Sequence, residues 1–204
     1  MMSSLYILLV VIIIVVILGF DLFVKKQRKS LINKLVKLLI NKKFKEFDEL
    51  IDSNQVRRLI PFFNLKLLEF NAAILRKNEE EARKIFDSLQ NRKMLKRQML
   101  EFYGKALNYF IQEKDEMRAR ECYIKINTID GYQKEKAYLL DLYKIMMLGE
   151  TDEEAIESRL ISDSNQERVA DYYLLARSNE INKNFAKAKK YDQLADNTIT
   201  KIVE

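Results

Sequence analysis

A sequence pattern recurs along the 204-residue chain at a nearly constant period, and this repeat restricts the possible folds more than any other feature. Five similar segments begin at Lys43, Asn78, Asp115, Thr151 and Asn184. The intervals between these starts are 35, 37, 36 and 33 residues. An apolar pattern at helical spacing comes before each start, and a period of this length is typical of stacked helical hairpins. With only four glycines and one proline, the sequence predicts an all-α fold of about five hairpins.

Each segment start is expected to begin the second helix of a hairpin. Asn, Asp and Thr are favoured N-cap residues, and four of the five starts are of these types. The four later copies carry an alanine at one position, where a small residue would allow close helix packing; these are Ala82, Ala119, Ala155 and Ala188. The first copy has Phe47 there. Beyond the alanine most copies have large apolar residues, but the fourth has Ser158 and Arg159. In the last helix, Lys187 and Lys190 are expected to solvate the outer face.

The last copy matches a known repeat pattern at six positions in order. They are aromatic, Leu, small, aromatic, Ala and Ala, and the residues are Tyr172, Leu175, Ala176, Phe185, Ala188 and Ala195. This pattern resembles the tetratricopeptide repeat (TPR) family, and the resemblance covers about residues 28–198. It implies that residues 31–204 form an α-solenoid of about five TPR-like hairpins, which neighbouring repeats stabilise by stacking. It also implies that the solenoid binds a protein or peptide partner.

The N-terminal segment is strongly apolar. Residues 5–24 are interrupted only by Asp21, and twenty helical residues span about 30 Å, the thickness of a bilayer core. Residues 1–24 are therefore predicted to be an uncleaved single-pass transmembrane helix. The basic segment 25–30, with Lys25, Lys26, Arg28 and Lys29, would place the N-terminus outside the cell membrane and the C-terminal domain in the cytoplasm. These basic residues would also attract anionic lipid headgroups, or serve only as the topology signal.

Composition argues against catalysis. The chain has no histidine and one cysteine, and its few glycines are too scattered for a phosphate-binding loop. We therefore expect no enzyme activity, no metal site and no cofactor, and we expect Cys122 to be a small core residue. The basic excess is confined to residues 25–70, which hold 12 Lys/Arg and 5 Asp/Glu. Because the rest of the chain has no such excess, a nucleic-acid partner is not expected.

Four polar residues occupy one repeat position in the first helices of copies two to five. They are Asn71, Asn108, Lys144 and Arg177. In the resembled family this position lies on the concave side of the array, where Asn and basic residues bind peptide backbones or terminal carboxylates. We therefore expect these four to form the partner-binding surface, against the alternative that a solvated face is simply polar.

The combined prediction is a membrane-anchored scaffold or adaptor that recruits a protein partner through its cytoplasmic TPR-like domain. Two alternatives stay open. A structural subunit of a membrane complex would expose a large hydrophobic surface when isolated. A protein-targeting receptor on an organelle surface would need an apolar groove for an amphipathic helix.

Overall fold

The computed structural model describes residues 2–150, 152–161 and 164–203, without the side chains of residues 2–20 and 203. Within these ranges the chain is all-helical and forms no strand, which confirms the predicted all-α class. The helices are α1 (Met2–Ile40), α2 (Phe44–Ile51), α3 (Asn54–Leu59), α4 (Phe62–Leu75), α5 (Glu79–Gln90), α6 (Lys96–Gln112), α7 (Glu116–Asn127), α8 (Gln133–Tyr143, continued by a π-helical turn, Lys144–Leu148), α9 (Glu153–Arg159), α10 (Asn165–Ile181) and α11 (Phe185–Val203). This architecture is consistent with an α-solenoid.

The chain divides into two compact units, and unit 1 comprises Met1–Lys93. It contains the hairpins α1–α2 and α4–α5, with the short helix α3 between them. The C-terminal half of α1 packs its apolar side into a core shared by α2, α3 and α4, where Leu35, Phe47 and Val56 are almost fully buried. The Arg28 Nε–H group donates a 2.8 Å hydrogen bond to the Leu59 carbonyl at the end of α3. This bond joins α1 to the end of α3.

Unit 2 comprises Met94–Glu204 and contains the hairpins α6–α7, α8–α9 and α10–α11. Tyr103, Leu107 and Phe110 line the buried side of α6. A second core joins the last two hairpins, and Ile145, Ile156, Leu174, Leu175, Ala176 and Tyr191 are buried in it. These apolar side chains therefore hold the last two hairpins together.

The turns inside the hairpins share one backbone conformation. Four of them contain a lysine with a positive φ of 55–60°, and these are Lys42, Lys77, Lys114 and Lys183. In each case the next N–H group donates to a carbonyl five residues earlier, as Asp115 does to Phe110 at 2.9 Å. This pattern ends a helix with one left-handed residue, a position that usually favours glycine. In the fourth hairpin Gly149, with φ of 68°, serves this purpose.

We expect Lys114→Gly to raise the free energy of unfolding by about 1 kcal/mol, because it removes the steric cost of a side chain in the left-handed region. The opposite sign is expected for Lys125→Gly inside α7, which should cost about 1 kcal/mol of helix propensity. Urea denaturation of the two variants measures both changes. Destabilisation by Lys114→Gly would show that the lysine side chain supports the turn.

The predicted helix starts are confirmed for three of the later copies. The side chains of Asn78, Asp115 and Asn184 each accept a hydrogen bond from the backbone N–H group three residues later. In the fourth copy the predicted cap, Thr151, lies outside the described residues. The side chain that caps α9 is Asp152, which accepts a 3.0 Å hydrogen bond from the Ala155 N–H group.

This shift of one residue corrects the predicted packing position in the fourth hairpin. Ala82, Ala119 and Ala188 are buried four residues after their caps, as predicted. Four residues after Asp152 the chain has Ile156, which is 1% exposed, whereas Ala155 is exposed to solvent. The observed cap Asp152 lies 37 residues after Asp115, the same interval as from Asn78 to Asp115, so the predicted start at Thr151 was one residue too early.

The prediction of a transmembrane helix is wrong on the evidence of the described residues. None of the helices described is both long enough and apolar enough to span a bilayer. Most of the proposed anchor, residues 1–24, lies where side chains are not described. Within the anchor, side chains are described only for residues 21–24, and Asp21 there makes an exposed ion pair with Lys25. Helix α1 then continues without a break into the core of unit 1.

The role expected of Lys187 also needs correction. Its ammonium group lies 2.5 Å from the Glu153 carboxylate and 3.4 Å from that of Glu157, both on α9. Glu153 also accepts a 3.0 Å hydrogen bond from the Asn179 amide on α10, whose side chain is buried. Lys187 therefore joins α11 to α9, whereas Lys190 is exposed as predicted.

Candidate binding groove

Unit 2 contains a groove of about 760 Å³ that three successive first helices line. The N-terminal halves of α6, α8 and α10 form its walls, and the end of α9 closes one part of the floor. We call this feature the first-helix groove. Its lining includes Arg97, Leu100, Glu101, Tyr132, Lys134, Glu135, Tyr138, Leu139, Arg159, Gln166, Glu167, Ala170 and Asp171. Because each helix contributes a few residues at helical spacing, the groove depends on the stacking of hairpins.

The floor of the groove is largely apolar. Leu100 on α6 and Leu139 on α8 are buried, and Tyr138 and Ala170 are partly buried beside them. Gly104 on α6 lies directly against Leu139 on α8, because a Cβ atom at Gly104 would be only 2.9 Å from Leu139 Cδ1. The missing side chain of Gly104 therefore leaves room for Leu139 at this contact between two groove walls.

A largely buried ionic cluster forms part of the groove lining, through Arg159 and Asp171. The Arg159 guanidinium donates two hydrogen bonds to Asp171, at 2.8 and 3.2 Å, and one to Asp141 at 2.7 Å. The exposed fractions of the side chains are 20% for Arg159, 16% for Asp141 and 5% for Asp171. Burial opposes the charged form of Arg159, but the hydrogen bonds to the two aspartates outweigh it and raise its pKa. The cluster therefore links α8, α9 and α10 with charged groups inside the protein.

Sequence reasoning did not identify this cluster as part of a site. Counted from the caps, Arg159 is in the same place as Ile85, Cys122 and Tyr191, which are buried in the other hairpins. The departure of the fourth copy from the apolar pattern was visible in the sequence. Two aspartates in other helices could have been sought as partners, since a charge at a core position needs compensation.

The rim of the groove carries charges of both signs. Arg97 and Lys134 are basic, whereas Glu101, Glu135 and Glu167 are acidic, and all five are exposed. Glu167 also completes the cap of α10, because its carboxylate accepts a 2.8 Å hydrogen bond from the Ser164 N–H group.

Tyr138 contributes a phenol hydroxyl group to the groove. Burial raises the pKa of Tyr138 on the floor, and the nearby charge of Asp171 adds to the effect. Its hydroxyl group therefore stays protonated at neutral pH and can donate a hydrogen bond to a ligand. The groove thus combines an apolar floor with polar groups that can orient a bound chain.

The structure separates the four residues predicted to bind a partner. Asn71 is half-buried on α4 in unit 1, whereas the other three belong to unit 2. Asn108 and Arg177 each follow a groove residue, Glu101 or Ala170, by seven positions and so lie on the same side of the helix. The Asn108 amide donates to the Gly104 carbonyl at 2.9 Å, and Arg177 pairs with Glu180 at 2.7 Å.

Lys144 lies away from the groove stripe of its helix. It begins the π-helical turn, and six residues separate it from Tyr138, which places it about a third of a turn around the helix. The shifted register of the fourth hairpin explains this difference. Asn108 and Arg177 could therefore contact only a ligand that extends past the groove along α6 and α10.

The four residues of the predicted basic segment have different environments. Arg28 is half-buried and bonded to the Leu59 carbonyl, so it supports the fold of unit 1. Lys25 pairs with Asp21 at 2.7 Å, and Lys26 and Lys29 are exposed on α1.

The prediction that Cys122 is a core residue is confirmed. It is fully buried, and this burial raises the pKa of its thiol far above the ordinary value. Among the described residues, His, Cys, Asp and Glu side chains form no cluster suited to a metal ion.

Comparisons with models of protein families, with curated proteins and with solved structures found no match to this chain.

Proposed function

We propose that the protein is a binding scaffold of the TPR-like type that holds a segment of a partner protein in the first-helix groove. The observation that carries this proposal is the groove itself, which crosses three successive first helices and combines an apolar floor with a polar rim. A bound polypeptide could bury apolar side chains on Leu100, Tyr138 and Leu139. Its own charged groups could pair with rim residues of either sign.

The sequence resemblance favours a polypeptide ligand, because TPR-like proteins bind peptides along the first helices of their repeats. The dimensions of the groove also suit a short segment better than a large folded surface. A rim of mixed charge would select a partner by the order of its charged residues, since a misplaced like charge costs binding energy.

We expect Ala170→Trp to weaken capture of the partner at least tenfold, because the indole would occupy the groove beside α8. The partner would be identified by affinity purification with the full chain and then titrated against each variant. Ala170 is half-buried at the groove wall, so the larger side chain can be accommodated by extending into the cavity.

Ala186→Trp is the matched control. Ala186 is exposed near the start of α11 and does not line the groove. It should leave capture unchanged, and both variants should keep the helical circular-dichroism spectrum. Equal binding by Ala170→Trp and the unmodified protein would show that the partner binds elsewhere.

A further inference from the structure

The basic charge of the protein is concentrated on one helix of unit 1. Between Asp21 and Glu46 the chain contains nine Lys/Arg and no Asp or Glu. Residues 21–93 hold 18 basic and 10 acidic residues, whereas residues 94–204 hold 18 basic and 20 acidic. The excess therefore belongs to unit 1, and most of it lies on the second half of α1.

The structure determines which side of α1 presents this charge. Leu35, Leu38 and Leu39 are buried in the core, and Arg28 is bonded to the Leu59 carbonyl, so the opposite side faces solvent. That exposed side carries the lysines Lys26, Lys29, Lys34 and Lys37. None of these four makes an ion pair with another described residue. Lys26 and Lys37 are eleven residues apart, or about 16 Å along the helix. We call this surface the α1 lysine face.

Apolar side chains are exposed among and beside the lysines. Leu22 is 66% exposed, Phe23 is 56% exposed and Ile40 is 72% exposed. Leu22 and Ile40 lie on the same side of the helix as Lys26, at spacings of four and fourteen residues. A basic surface with interspersed apolar side chains is typical of helices that lie on a lipid interface.

We propose that the α1 lysine face binds an anionic lipid surface through phosphate and carboxylate headgroups. The lysines would contact the headgroups, while Leu22, Phe23 and Ile40 would reach the boundary of the acyl chains. A phosphodiester chain offers no comparable environment for the exposed apolar residues. The contact requires no part of the chain to cross the bilayer, and it is independent of the groove in unit 2.

The experiment compares binding of the full chain to phosphatidylcholine vesicles with and without phosphatidylserine. The measured quantity is the ratio of the two partition coefficients. Every variant contains residues 1–20, so their contribution cancels when the ratios of two variants are compared. Each lysine near an anionic surface contributes about a fivefold effect. The triple variant Lys26→Gln, Lys29→Gln and Lys37→Gln should therefore lower the ratio about a hundredfold. High salt should lower the ratio for the unmodified protein.

The control removes the same charge from unit 2, with Lys189→Gln, Lys190→Gln and Lys201→Gln, all at exposed positions of α11. This variant should keep the ratio of the unmodified protein. A ratio near one for the unmodified protein, or an equal loss in both triple variants, would overturn the proposal. Binding to polyglutamate without any preference for anionic vesicles would also overturn it and assign the face to an acidic protein.

Discussion

Replacing Arg159 with methionine is expected to lower the free energy of unfolding by about 3–5 kcal/mol. The guanidinium makes three hydrogen bonds to Asp141 and Asp171, and both carboxylates are largely removed from solvent. Without the arginine, two like charges would remain close together in the protein and would lose the guanidinium that joins them. Such an uncompensated charge is far more costly than the loss of an exposed ion pair. Chemical denaturation followed by circular dichroism measures the change.

Two further variants separate this explanation from a general loss of packing. The first is the triple variant with Arg159→Met, Asp141→Asn and Asp171→Asn. It should recover more than half of the stability that Arg159→Met alone loses, because the cluster is then uncharged. Arg177→Met removes an exposed pair with Glu180 and should cost less than about 0.5 kcal/mol. A loss below about 1 kcal/mol for Arg159→Met would mean that the aspartates are solvated or neutral in the folded protein.

Replacing Lys136 with methionine is expected to cost about 3 kcal/mol. Lys136 is only 8% exposed, and its ammonium group donates to the Asn127 carbonyl at 3.0 Å and the Ile129 carbonyl at 2.6 Å. These carbonyls lie at and just beyond the C-terminus of α7, where a positive charge is favoured. Methionine fills a similar volume but leaves both oxygens without this donor.

Lys134→Met provides the comparison on the same helix, because Lys134 is exposed at the rim of the groove. It should change the free energy of unfolding by less than about 0.5 kcal/mol. Urea denaturation of both variants gives the difference directly. Equal losses at the two positions would contradict the role of Lys136 as a buried cap of α7.

The hairpins could be predicted from the sequence because their determinants are local. An N-cap side chain at Asn78, Asp115 or Asn184 acts within one helical turn, and the buried alanine follows it at a fixed distance. The fourth hairpin was misaligned by one residue because Thr151 and Asp152 are adjacent and both are favoured N-cap residues. The side chain that caps α9 is Asp152, and Ile156 rather than Ala155 therefore occupies the packing position.

The groove could be predicted only in outline. The resemblance pointed to the first helices, but which of their residues converge depends on how α6, α8 and α10 pack in three dimensions. The close approach of Gly104 to Leu139 and the compensation of Arg159 by two aspartates from other helices are contacts between distant positions. The apolar N-terminal run led to the prediction of a transmembrane helix, whereas none of the described helices is both long and apolar enough to span a bilayer.

The central claim is that a partner polypeptide occupies the first-helix groove, and site-specific photocrosslinking tests it most directly. Benzoylphenylalanine in place of Tyr138 would lie on the groove floor, whereas the same group in place of Phe185 would lie on α11, at a side chain that is 67% exposed. We predict a crosslinked partner from position 138 that disappears when Ala170→Trp is added, and no equivalent product from position 185. Crosslinking from position 185 alone, or a product at 138 that persists with Ala170→Trp, would contradict the claim.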